Sequence, residues 1–164
     1  MVKHLEQKAK SLEKYVSLKD QDLVIDIGSN DATLLKAYSK KCVKIGINPT
    51  GLKFKKFYTD DICLIADFFS ASKFLKQSGG RKAKVITSIA MFYDLEDPCE
   101  FVKDIKLCLE KDGIWHFEQS YLPFMLRTNS YDTIYHEHLE FYFHGAGCKP
   151  YALACNRRSR SELL

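Results

Sequence analysis

The sequence predicts an α/β domain built on a mostly parallel sheet, and three observations carry that expectation. Five short apolar runs recur along the 164 residues, at "LVIDI", "VKIGI", "ICLIADFF", "AKVITSIAMF" and "IWHFEQSY". The segments between them place apolar residues at helical spacing. The runs are close to continuous rather than alternating, which suits strands covered on both faces by crossover helices.

In chain order, residues 3 to 18 set Leu5, Leu12, Tyr15 and Val16 among charges, so residues 1–19 read as an amphipathic lead-in helix. Leu23 to Ile27 is the first strand, interrupted only by Asp26. "SNDATLLKAYSKK" follows as a helix, polar at its start and apolar at Leu34, Leu35, Ala37 and Tyr38. "VKIGINP" is a second strand stopped by Pro49, and "ICLIADFF" a third. Ser70 to Gln77 makes a short helix ended by the Gly79-Gly80 pair. "AKVITSIAMF" is a fourth strand that runs into a loop. In "DPCEFVKDIKLCLEKDG" Asp97 can cap a helix and Pro98 suits its first turn. Phe101, Val102, Ile105 and Leu109 form its buried stripe, and Gly113 ends it. "IWHFEQSY" is the fifth strand. From Gly145 the tail "GAGCKPYALACNRRSRSELL" loses this periodicity and turns basic.

Composition narrows the class. The 46% hydrophobic and 28% charged content is that of a globular protein, and 164 residues suffice for one core. The net charge of +4 comes from scattered lysines, with small clusters at Lys53, Lys55, Lys56 and at Arg157, Arg158, Arg160. A nucleic-acid binder would gather such charge on one face among aromatics, so no nucleic-acid partner is expected. The six cysteines form no CxxC and sit mostly in apolar segments, which points to a reducing, cytoplasmic setting without disulfides or a thiolate zinc site. The opening MVKHLEQKAK is too charged for a signal peptide, and no run reaches membrane-spanning length.

In parallel α/β sheets, ligands bind beyond the carboxyl ends of the strands, near the point where strand order switches. The first strand ends in Asp26-Ile27-Gly28-Ser29-Asn30-Asp31 and leads straight into a helix. Gly28 allows a sharp turn and a close approach of the backbone to a ligand. A dinucleotide site would want GxGxxG, but Asn30 and Thr33 stand where its second and third glycines belong. Asp31 would also repel a diphosphate. A cationic cofactor such as S-adenosylmethionine fits this loop better. Taken alone, the loop favours the plainer reading of a tight turn with no ligand.

"DLVIDIGSNDATLL" resembles the first motif of class I S-adenosylmethionine-dependent methyltransferases. It is most similar to the branch that C-methylates nucleotide-linked deoxysugars, where "IGSNDGTLL" is typical. The likeness continues in order through "IGINPTG", "ADFFSASKF", "SIAMFYDLEDP" and "DGIWHFEQSYLPFMLRTNSYDTIYHEHLEFY", across residues 20–143. It implies a Rossmann-like core with strand order 3-2-1-4-5, helices on both faces and S-adenosylmethionine as cofactor. The resemblance puts Asp26, Gly28, Ser29, Asn30 and Asp31 around the cofactor's methionine part. Asn48 takes the position where the family bears an acid for the ribose hydroxyls; an asparagine still hydrogen-bonds a diol, without the charge. Asp67 with Phe68 falls where the family contacts adenine. Ala90 and Met91 lie beneath the transferring methyl.

"YDTIYHEH" brings two histidines, a glutamate and two tyrosines together. As a metal site it lacks ligands: His136 and His138 would share one face of a strand, Glu137 would point away, and no cysteine completes the set. No metal is expected. On residues alone, two half-buried histidines at a strand edge are the plainer reading. The resemblance makes this stretch the acid/base centre for C-methylation next to a ketone. It assigns His138 as the base, with Tyr135, His136 and Glu137 as enolate, substrate or orienting contacts. The expected substrate is a small molecule, a nucleotide sugar.

Relatives in that branch carry a cysteine-rich zinc domain before the core and a further α/β region after the HEH segment. The expectation is therefore a truncated core lacking C-terminal strands, with residues 144–164 a non-native tail. A sheet stopped after five strands leaves an open edge, which suits a homodimer. Two other readings remain: an NAD(P)-dependent Rossmann oxidoreductase, and a non-catalytic domain that retains the fold.

Overall fold

The computed structural model describes residues 2–39, 41–120 and 122–129. Strands Leu23–Ile27 (β1), Val43–Ile47 (β2), Ile62–Ile65 (β3), Ala83–Ile89 (β4) and Leu109–Glu118 (β5) form one sheet in the order β3-β2-β1-β4-β5. Every neighbouring pair is parallel. The expected topology is thus the observed one, with β1 central and the order switching between β1 and β4.

Helices Val2–Tyr15 (α1), Thr33–Lys36 (α2), Gly51–Phe54 (α3), Ala71–Gln77 (α4), Pro98–Cys108 (α5) and Leu122–Thr128 (α6) complete the described chain. The helix expected after β1 contracts to the single turn of α2, and Ala37 and Tyr38 follow it as loop residues that still pack inward. In α1 the inward side is Leu5, Ala9 and Leu12, at i, i+4 and i+7, continued by Val16 just past the helix, whereas Tyr15 stays exposed. Asp97 caps α5 by accepting the Glu100 amide at 2.9 Å, with Pro98 at the first position. Asp104 of α5 accepts the Ala71 amide at 2.9 Å, satisfying a donor at the start of α4.

One boundary differs. α5 stops at Cys108, and Leu109 opens β5 by pairing with Ala83 instead of closing the helical stripe. The ladder then slips, so that Val85 faces Ile114. Gly113 ends no helix; it lets this bulge pass the Ala83 carbonyl, which a Cβ would approach to 2.9 Å.

Two cores flank the sheet. The α4/α5 side buries Leu23, Ile25, Ile27, Phe74, Ile86, Phe101, Ile105 and Trp115. Here Phe92 and Phe101 meet edge-on at 6.0 Å, and Trp115 stacks on Phe117 at 4.7 Å. The α1/α2 side buries Ala9, Leu12, Val24, Leu34, Leu35, Tyr38 and Val85. It also carries the buried polar groups Asp26 and Thr87, while the opposite side carries Ser88, bonded to Trp115.

Among the described residues, four cysteines are free thiols, and no helix is long and apolar enough to cross a membrane.

Candidate functional site

The carboxyl ends of β1, β2, β3 and β4 converge on the loop from Gly28 to Ala32. Gly28 has φ 79°, Asn30 φ 42° and Ala32 φ 59°, so three left-handed residues fold the chain tightly between β1 and α2. The Gly28 amide donates to the Ile47 carbonyl at 2.8 Å and fastens the loop to the end of β2. A Cβ on Gly28 would meet the Met91 side chain at 3.5 Å, an ordinary contact, so the left-handed backbone is what demands glycine there. Met91 therefore sits against Gly28.

Ser29 is buried below the loop, its Oγ 2.6 Å from the Tyr58 hydroxyl. The pair fills the space above Gly46, where a Cβ would lie 2.7 Å from Ser29 Oγ and 2.8 Å from the Tyr58 hydroxyl. Ser29 thus supports the loop from beneath and offers a ligand its backbone. Asp31 accepts from Thr33 twice, from the amide at 3.1 Å and the hydroxyl at 2.7 Å. The Thr33 hydroxyl holds this carboxyl below its ordinary range, so the loop tip keeps a fixed negative charge.

Asn48 is buried and organises its own turn. Its Oδ1 accepts the Thr50 amide and hydroxyl, each at 3.0 Å, and its Nδ2 donates to Asn30 Oδ1 at 3.2 Å. That bond uses one of the two Nδ2 hydrogens. The Ile65 carbonyl accepts both the Asn48 and Asp67 amides, which brings the β2 and β3 ends together. Asp67 is engaged by Lys73 at 2.6 Å and by the Phe68 amide at 2.7 Å, and the Lys73 ammonium chiefly holds its carboxyl low. Phe68 projects 73% exposed beside it, a flat apolar face open to a ligand ring.

Ala90 is exposed and left-handed at φ 53°, with its amide donating to the Glu118 carbonyl at 2.8 Å. A non-glycine residue in this conformation is strained, and such strain gathers at binding loops.

Asp26 lies under the loop. It is buried, and Thr87 Oγ1 donates to its Oδ1 at 2.6 Å. Burial raises its carboxyl to about 7 against the pull of that hydrogen bond.

A second cluster at the end of β5 was not foreseen. Glu118 Oε1 lies 2.8 Å from Lys8 Nζ and 3.2 Å from His116 Nε2, while its Oε2 lies 3.0 Å from His4 Nε2. Burial pushes the Glu118 carboxyl up, but Lys8, His4 and His116 together outweigh it and hold it at about 2. Burial pushes His116 below the usual imidazole range. A signal existed in "WHFE", where polar residues alternate with aromatics and so share the α1 side of the strand.

Sequence-expected residues Asp26, Gly28, Ser29, Asn30, Asp31, Asn48, Asp67, Phe68, Ala90 and Met91 thus gather at one edge of the sheet, linked through strand ends and side chains. Tyr135, His136, Glu137 and His138 lie outside the described residues, as does the tail at 144–164. Among the described residues no group of three or more His, Cys, Asp or Glu side chains could hold a metal.

No family model matches the chain. It is 24% identical over 152 residues to C-methyltransferase NovU of Streptomyces niveus, covering 90% of this chain and 36% of that protein. The chain therefore spans about a third of the curated relative's length. A chain in the complex between the Haloferax volcanii Trm112 methyltransferase activator and a methyltransferase superposes with a TM-score of 0.63 at 16% identity, over 93% of this chain and 71% of that one. The plantazolicin methyltransferase BpumL, solved with S-adenosylhomocysteine and a triazolic desmethyl analogue, gives 0.61 at 14% identity, over 83% and 52%. The chain has the Rossmann-like fold of class I S-adenosylmethionine-dependent methyltransferases.

Proposed function

We propose that this chain is the donor-binding core of an S-adenosylmethionine-dependent methyltransferase that C-methylates a nucleotide-linked deoxysugar next to a ketone. The observation that carries the donor reading is the left-handed loop at the end of the central strand, closed by Gly28 over Met91 and tipped by the ionised Asp31. A fixed carboxylate repels diphosphate and attracts a sulfonium or ammonium, which separates this loop from a dinucleotide cradle. Similarity to a C-methyltransferase supports the acceptor chemistry.

In this reading the donor's methionine part rests against residues 28–31, its ribose reaches the second Nδ2 hydrogen of Asn48, and its adenine lies near Asp67 and Phe68. Asn48 and Lys73-bound Asp67 keep their present partners and add the ligand to them. Ala90 and Met91 border the methyl. His138 removes the proton α to the ketone, Tyr135 or His136 donates to the enolate oxygen, and Glu137 orients the pair. Bound S-adenosylmethionine would supply the methyl group that this carbon takes, the new C–C bond forming as the S–C bond breaks.

Calorimetry with S-adenosylmethionine and NAD tests the donor reading: one equivalent of the former binds and the latter does not. Saturable NAD binding with no S-adenosylmethionine binding refutes it. For the acceptor, a longer protein that includes the regions flanking this chain is the proper material. His138→Ala there retains the donor but loses exchange of the α-proton with deuterated solvent and turnover, by about 100-fold or more. Exchange at the parent rate removes His138 from the role of base.

A further inference from the structure

On the α1 side of the sheet, adjoining strands carry Asp26, Thr87 and His116 in register, with Asp26 opposite Thr87 and Thr87 opposite His116. Thr87 is fully buried, and its hydroxyl has two acceptors in reach, Asp26 Oδ1 at 2.6 Å and the Ile25 carbonyl at 3.1 Å. This geometry serves either charge state of the acid. With Asp26 ionised, Thr87 donates to it; with Asp26 protonated, the acid donates to Thr87 Oγ1 and Thr87 turns its hydrogen to Ile25. Tyr38, 4% exposed on the same side, has a hydroxyl with no hydrogen-bond partner among the described residues, and the Asp26 charge acts on it.

The groups that face Asp26 are neutral or acidic. They are Thr87 on β4, Tyr38 after α2, Tyr58 before β3, and, through Tyr38, Cys42 and Glu13. Burial pushes His116 on β5 below the usual imidazole range. The nearest buried cation on β2, Lys44, is taken by Asp61 at 2.9 Å. Among the described residues no ion pair offsets an Asp26 charge. Yet the residue stands two positions before Gly28, directly under the loop read above as a cation site.

We propose that Asp26 distinguishes the charged methyl donor from its neutral-sulfur product by releasing a proton when the sulfonium arrives and recovering it when the thioether leaves. The inference rests on the donor reading of the loop. In a setting of effective dielectric near 20, a positive charge within roughly 8 Å moves a neighbouring acid's titration down by about one pH unit or more. The midpoint near 7 places the change close to neutral pH. S-adenosylhomocysteine keeps the amino-acid part and the adenosine but lacks the sulfonium, so it is the matched control.

Calorimetry of both ligands at pH 7, in buffers of different ionisation enthalpy, counts the protons. Binding of S-adenosylmethionine should release about half a proton and S-adenosylhomocysteine far less. Donor affinity should weaken about fivefold from pH 7.5 to pH 6, and product affinity should stay nearly flat. In Asp26→Asn the release and the pH dependence should vanish. Thr87→Val is the second arm: without its hydrogen bond Asp26 titrates higher, and the midpoint of the donor's pH dependence should rise. Both ligands binding with equal proton release, or release that persists in Asp26→Asn, overturns this inference alone. If neither ligand binds at either pH, the donor reading fails and the inference falls with it.

Discussion

The two faces of the sheet divide the labour of this fold. Against α4 and α5 the sheet is apolar and aromatic, with Phe69, Phe92, Phe101, Trp115 and Phe117 in mutual contact. Against α1 and α2 the same strands present Asp26, Thr87 and His116 in one row, with Glu118 beyond. Because side chains alternate along a strand, β4 and β5 send Ser88, Trp115 and Phe117 one way and Thr87, His116 and Glu118 the other. The first face is held mainly by close packing, its buried Ser88 accepting from Trp115 Nε1 at 2.9 Å, whereas the second gathers the ionisable groups, whose burial is costly unless they are partnered or neutral. Stability belongs mainly to the aromatic side and charge chemistry to the other.

If so, substitutions on the two faces should differ in kind. Phe101→Ala empties the centre of the aromatic cluster and should cost about 3–5 kcal/mol at any pH, read by urea unfolding. A loss below about 1 kcal/mol would mean that this face is loosely packed. On the polar face effects should depend on pH. The folded carboxyl of Asp26 is raised to about 7, so its contribution is fully present below the ordinary 3.8 and is lost as pH rises through 7. Asp26→Asn should therefore stabilise the protein at pH 8, on the order of 2–4 kcal/mol, and much less at pH 4. Equal shifts at both pH values would show that Asp26 is not buried as a neutral acid.

Glu118 has the opposite sign. Its folded carboxyl lies at about 2 against 4.5, so its stabilisation is present above 4.5 and fades as pH falls toward 2. With the side chain 29% exposed, solvent screening reduces the effect, and Glu118→Gln should cost roughly 1–2 kcal/mol at pH 7. It should also flatten the acid limb of the stability profile between pH 4.5 and 2. An unchanged acid limb would show that the contacts to Lys8, His4 and His116 contribute nothing. The smallest change is Ala90→Gly, which relieves the left-handed angle at an exposed residue and should raise stability by about 0.5–1 kcal/mol. A loss would mean that the Ala90 methyl makes a contact worth more than the strain.

The strands and the turn at Gly28 were legible in the sequence because continuous apolar runs and a glycine between strand and helix are local signals, whereas the strand order followed from the family resemblance. The α5–β5 boundary was not. Gly113 in "EKDGIW" has the look of a helix stop, but pairing of Leu109 with Ala83 drew the preceding residues into the sheet. The helix after β1 was read too long for a similar reason: the apolar spacing continues through Tyr38, but the Ser39 amide and hydroxyl are captured by Glu13 of α1. Asn48 was read as a ligand group from its place in the chain; its Asx turn to Thr50 and its bond to Asn30 emerge only from the folded loop. Least legible was Glu118 with His4, a contact across 114 positions that no local pattern announces.

The most direct test of the account is a residue-by-residue map of amide chemical shifts during titration with S-adenosylmethionine. The account predicts changes concentrated at residues 26–32, at Asn48, Asp67 and Phe68, and at Ala90 and Met91, with Gly79, Gly80 and Gly113 at the far edge of the sheet unmoved. Gly28→Val should abolish those changes while the remaining spectrum stays folded. Shifts centred on the far edge, or an unaltered response in Gly28→Val, would contradict it.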